Sequence, residues 1–266
     1  MNLKSRLEIY LPSLFEFIEG DFAWTSVNKS FDKYYQTNKE IYDKGKHFKI
    51  NLYTTVIDVI NGNMYAIAFF SHLDNTLKKL SKSLNSNEKE QVKKILYGVL
   101  LAEHFLDHLA ELYVLDNLLD TKIYKLIEIG AVKGERKKEY KKAADIDIKL
   151  KIIDTGEDVF VEVVSLILDE YTINNKEIKK WLLGKLKKKI ADKNETGIDY
   201  TLVPVIWSEK VESLKKIQQL YKENNFKIDN AEDPRVFSWF KDLTTRFGSI
   251  HSVLEPIILK EKNFII

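Results

Sequence analysis

The stretch AADIDIKLKIIDTGEDVFVEVVS, residues 143–165, reads as two β-strands joined by a tight turn at Asp154-Thr155-Gly156. Strand period two sets Asp145, Asp147, Lys149 and Lys151 on one face and Ile146, Ile148, Leu150 and Ile152 on the other. A turn centred near Asp154-Thr155 brings Glu162 opposite Asp147, two residues from Asp145. Residues opposed in this way on one face have Cβ atoms about 4.5–5.5 Å apart. Two carboxylates so placed repel unless one is protonated or a cation lies between them. Mg²⁺, or Mn²⁺ in its place, suits such a pair, because it takes one or two carboxylates and completes its shell with waters and phosphate oxygens. Glu162 carries the only charge in VFVEVVS, so it is expected inside the sheet, where a lone carboxylate is costly. A salt bridge across the hairpin to Lys149 or Lys151 is the competing, purely structural explanation.

Outward from the hairpin the texture changes on both sides. Residues 133–142, KGERKKEYKK, form a basic loop or arm. Downstream come a Lys-rich helix over 176–192, a continuous apolar strand over 200–207, a helix over 211–224, and one or two more helices over 234–254. Pro204 inside the apolar strand favours a sheet edge or a bulge. Upstream the chain reads helical over 3–18, 30–44 and 64–84, with 49–60 open between helix and strand and Asn61-Gly62-Asn63 a break. Asn85-Ser86-Asn87 before Glu88 signals an N-cap, opening a long helical pattern from Glu88 to about Leu119. Residues 121–129 restart as a short helix or strand closed by Gly130. The order from residue 87 onward is that of a layered α/β sheet, residues 87–266, preceded by a helical region, residues 1–86.

The 266 residues suffice for one large domain or two small ones, and a 44% hydrophobic share excludes wholesale disorder. The absence of cysteine excludes disulfides, zinc ribbons and Cys nucleophiles, and favours an intracellular setting. With no long apolar run and no signal-peptide pattern, a cytoplasmic protein without membrane spans is expected. A net charge of +2 points to no polyanion, so any nucleic-acid surface must be local. Residues 133–142 and 176–193 supply basic candidates, interleaved with Tyr140 and Trp181; a solvated helix face accounts for most such lysines. His104 and His108 stand four apart but lack the partners of a metalloprotease or di-iron motif, and no Gly-rich phosphate loop is present.

With its acidic helix, acidic hairpin, following helix and strand, the chain resembles the PD-(D/E)XK nuclease superfamily, the restriction-endonuclease-like fold, over roughly residues 88–207. Ala144-Asp145-Ile146-Asp147-Ile148 looks like the first motif and Val161-Glu162-Val163-Val164 like the second. The resemblance implies a mixed sheet flanked by helices and Mg²⁺-dependent hydrolysis of DNA or RNA. Asp147 and Glu162 would be metal ligands, Asp145 an accessory acid, and the preceding helix would offer a further carboxylate from among Glu103, Asp107 and Glu111, with Glu111 or Glu103 preferred. The family's Lys, two residues after the Glu, is Val164 here. Some branches carry that Lys on the following helix, so Lys185, which shares a face with Lys189, is the first substitute and Lys149 the second. Homodimers are common among restriction-like enzymes, which makes a homodimer an expectation by analogy. Two other readings stand beside the nuclease: a catalytically silent module of this fold that binds nucleic acid or a protein, and a mainly helical scaffold in which the hairpin is incidental.

Overall fold

A computed structural model describes residues 2–18, 22–43, 51–101, 104–132, 145–167, 175–194, 200–208, 219, 235–242 and 257–258. The arm at 133–142, Ala143 and Ala144, Glu103, and nearly all of the expected helix over 211–224 lie outside these residues. The chain divides into two compact units inside one helix, between Tyr113 and Val114, rather than near residue 86. No helix among the described residues is long and apolar enough to cross a membrane.

The first unit is helical: α1 (Leu3–Tyr10), α2 (Trp24–Asp43), α3 (Leu52–Ile60), α4 (Met64–Ser83), α5 (Ser86–Leu100) and the start of α6 (Phe105–Asp120). Pro12 stops α1 and opens a short 3-10 turn over Pro12–Glu16, since its missing N–H costs nothing at a helix start. The ambiguous segment before Ile60 is helical because a capping box fixes its start: Asn51 accepts from the Thr54 N–H and Thr54 accepts from the Asn51 N–H. Asn85 and Glu88 form the same device at α5, as the sequence leads one to expect. On α2 Phe31 is fully buried and edge-on to Tyr53 at 5.3 Å.

The single long helix expected over 88–119 is in fact two. α5 ends at Leu100, and His104 sits at φ 63°, a left-handed conformation that interrupts the ladder before α6. His104 therefore lies outside the helix that carries His108, and the pair does not stand on one helical face.

The second unit holds a mixed sheet: β1 (Tyr124–Val132), β2 (Asp145–Ile152), β3 (Asp158–Ile167), β4 (Thr201–Ser208), β5 (Arg235–Asp242) and β6 (Ile257–Ile258), adjacent in that order. β1, β2 and β3 form an antiparallel meander, and β4 lies parallel to β3, reached through α7 (Asn175–Asn194). Ile146, Ile148 and Leu150 of β2 pair with Ala131, Ile129 and Leu126 of β1, forming a fully apolar face. The hairpin is thus the interior of the sheet.

Three local expectations are corrected. Gly130 does not close an element; it lies within β1 at φ 66°, just past a bulge between Leu126 and Glu128. Pro204 lies in an interior strand, because β4 pairs with both β3 and β5; the described β4–β5 partners skip Val203 and Pro204, where the proline has no N–H to donate. Residues 235–242, expected to be helical, form β5, since VFSWF is rich in the β-branched and aromatic residues that suit a pleated surface.

Candidate active site

The hairpin turn forms where Asp154-Thr155-Gly156 predicts it, with Gly156 at φ 73° and its N–H donating to the Ile152 carbonyl at 2.9 Å. Ile148 pairs with Val161 and Lys149 with Phe160, and the described β2–β3 pairing ends at Ile148–Val161, one residue short of Asp147 and Glu162, which alternation assigns to the face of Lys149 and Phe160. Just beyond the paired residues the Val163 N–H donates to Asp147 Oδ2 at 2.7 Å. A backbone donor to a carboxylate is a strong, charge-assisted contact, and it fixes the orientation of Asp147.

Glu162 is completely buried. The two lysines proposed from the sequence as its hairpin partners are engaged elsewhere. Lys149 reaches Asp158 at 2.7 Å and lies over the Phe160 ring, and Lys151 reaches Asp158 at 2.9 Å. Their hydrogen bonds, with smaller Coulombic help, hold the Asp158 carboxyl below the usual carboxylate range. Lys149 is accordingly an ion-pair partner two residues along the strand from Asp147.

The cation on Glu162 comes from α7. Lys189 Nζ lies 2.7 Å from Glu162 Oε1, whereas Lys185 is exposed. Leu186 and Ile190, both buried, dock α7 and carry Lys189 inward between them. The choice of Lys189 over Lys185 follows from chain direction. A helix joining two parallel strands runs back against them, so its last turns lie over the strands' beginnings. Glu162 is in the first half of β3, and Lys189 is in the last turns of α7.

Tyr200, immediately before β4, completes this environment. Glu162 pairs with Leu202, and period two places Tyr200 on their face of the sheet. Burial, with the Glu162 charge adding to it, pushes the Tyr200 hydroxyl up to about 12, so it stays neutral. That hydroxyl donates to the Ile190 carbonyl at 3.5 Å, one residue beyond Lys189. Nothing in the sequence alone singles out Tyr200; the strand register does.

Of the remaining candidates, Asp145 opens β2, and its side chain lies outside the described residues. Glu111 belongs to the helical unit, where its carboxylate is 3.1 Å from His108 Nδ1. Asp107 is in the same unit, 3.1 Å from His104 Nδ1. Among the described residues no group of three or more His, Cys, Asp or Glu side chains converges as a ready metal cage. The hairpin carries the carboxylates Asp147 on β2 and Glu162 on β3, the residue type that a hard divalent cation such as Mg²⁺ takes as ligand. No family model, curated protein or solved structure matches the chain.

Proposed function

We propose that the chain is a metal-dependent nuclease of restriction-endonuclease-like architecture, hydrolysing DNA or RNA phosphodiesters. The observation that carries this reading is Glu162: a fully buried carboxylate on β3, the strand paired with the one that bears Asp147, met at 2.7 Å by the lysine of a following helix. The order α6, β1, β2, β3, α7, β4, with the two acids on β2 and β3, supports it as well.

In this reading Asp147 and Glu162 would hold Mg²⁺ or Mn²⁺, which when bound would supply a water of lowered pKa at neutral pH. The chain's own residues do the positioning. The Val163 N–H fixes Asp147, and the docked turn of α7 fixes Lys189. The Lys189 ammonium, on a side chain that is 33% exposed, is the group able to orient the attacking water and to face the negative charge that grows on the phosphorus oxygens. It takes the part of the lysine absent at Val164.

The test is incubation of supercoiled plasmid and of single-stranded DNA and RNA with Mg²⁺ or Mn²⁺. Cleavage by the wild type, with a loss of at least about 100-fold in Asp147→Asn and Glu162→Gln at unchanged circular dichroism, is the expected result. A wild type that binds nucleic acid with steep salt dependence and never cuts would leave the silent binding module in its place.

A further inference from the structure

α7 carries more than Lys189. Trp181, Gly184, Lys185 and Lys188 fall at i, i+3, i+4 and i+7, which puts them on one face of the helix. Lys185, Lys188 and Gly184 are exposed and the Trp181 indole is half-buried. A β-carbon placed on Gly184 would meet no atom of the described residues within 4 Å, so the helix surface is open at this position, between Trp181 and Lys188 along the face.

This face works against the helix that bears it. Glycine in a helix interior weakens it, and no packing partner at position 184 requires one. The like charges at 185, 188 and 189 stand at the spacings where they repel, and no acidic residue occurs from Lys180 to Ala191. Solubility explains lysines, but it does not call for a partly buried indole and a glycine among them. An aromatic plane, a notch that admits a backbone, and adjacent cations are together the features of a surface that binds an unpaired nucleotide strand: the base stacks, the sugar-phosphate chain approaches closely, and the phosphates meet the lysines. A duplex hides its base faces and gives the indole nothing to stack on.

We infer that this face of α7 is a track for single-stranded nucleic acid leading to the acidic site. The four residues span about 10 Å along the axis, the rise of about three stacked nucleotides. Lys189 follows at the end of the track, on Glu162. The exposed Lys185 is then a phosphate contact. The inference rests on the nuclease reading above and narrows its substrate to a single strand.

Binding is measured by fluorescence anisotropy in EDTA, so that no strand is cut, with a short labelled oligothymidylate, the matching oligouridylate, and a blunt DNA duplex of the same length. The wild type is expected to prefer single strands to the duplex by about tenfold or more. Trp181→Ala should lose about tenfold on single strands, the scale of one base stacked on an aromatic ring. The Lys185→Ala/Lys188→Ala double variant should lower the slope of log affinity against log salt by about 1.4, two phosphate contacts on a single strand. Gly184→Ala should raise the melting temperature, as helix propensity demands, and still weaken single-strand binding. Duplex binding as tight as single-strand binding, single-strand affinity within twofold of wild type in Trp181→Ala, or unchanged affinity in Gly184→Ala would each overturn the track. Oligothymidylate against oligouridylate decides between DNA and RNA, and either preference is consistent with it. Because the assay holds no metal, a protein that binds single strands through Trp181 yet never cuts with Mg²⁺ overturns the nuclease reading alone. One that cuts but ignores Trp181 overturns the track alone.

Discussion

Replacing Lys189 with Met tests the centre of the site. The substitution keeps the length and apolar stem of the side chain and removes only the charge that faces Glu162. Removing one partner of a fully buried pair costs about 3–5 kcal/mol, because the remaining charge has no compensation. Here Glu162 is 0% exposed, but the Lys189 side chain is 33% exposed, so water already weakens the pair. That discount brings the expected loss to about 2–3 kcal/mol. Glu162→Gln should cost less, about 1 kcal/mol, since the lysine left behind can turn to solvent. In the double variant no buried charge remains, so its loss should fall short of the two single losses added together by about 1–2 kcal/mol. Urea denaturation of the four proteins, followed by far-ultraviolet circular dichroism, reads all of these values. A Lys189→Met loss below about 0.5 kcal/mol, or single losses that simply add, would refute a coupled pair and with it the placement of the site's cation on α7.

Two further outcomes follow from other contacts. In the helical unit a β-carbon on Gly98 would overlap the His108 ring, so Gly98→Ala should cost about 1–3 kcal/mol in a wild-type background and close to nothing in a His108→Ala background. Equal costs in the two backgrounds, measured by the same denaturation, would show that the ring is not the obstacle. At Tyr200 the folded hydroxyl ionises near 12 against 10.0 in its ordinary state, so the folded form holds the proton that the unfolded form gives up. Its stabilising contribution is fully present below pH 10.0 and is lost as pH rises towards 12. Across that window the wild type should lose stability relative to Tyr200→Phe, with the other tyrosines cancelling between the two; parallel pH profiles would contradict this.

The hairpin was legible because it rests on short-range rules. Alternation separates the faces of β2, and a three-residue turn signal sets the register, so the pairing of Ile148 with Val161 follows from sequence. Capping at Asn85 was legible for the same reason, since the box is complete within four residues. The break at residues 101–104 was not. It depends on the left-handed backbone of His104, and the enrichment of histidine at positive φ is too weak a signal to end a sustained apolar ladder. β5 was misread because a short run of apolar and aromatic residues fits helix and strand equally well until a neighbouring strand edge is known. Lys185 was preferred to Lys189 because spacing alone gives a shared face and no direction. The parallel pairing of β3 with β4 is a long-range fact, and it is what decides which turn of α7 lies over Glu162.

Val164 can be understood from the same geometry. It stands two residues beyond Glu162, on the same face of β3, half-buried and paired with Pro204. A lysine there would be held by the sheet backbone and would point its ammonium toward the carboxylate that Lys189 already meets at 2.7 Å. Two ammonium groups on one buried carboxylate repel, and the second would have to be desolvated without a partner. An apolar residue at 164 is therefore what a helix-borne lysine at 189 requires. The arrangement also shifts what controls the site. A strand-borne lysine depends on sheet register alone, whereas Lys189 depends on how α7 docks through Leu186 and Ile190 and on the Tyr200 hydroxyl at the Ile190 carbonyl. Placement of the cation is thereby tied to the same helix whose outer face bears Trp181, Gly184, Lys185 and Lys188, so whatever seats itself on that face acts on the element that positions Lys189.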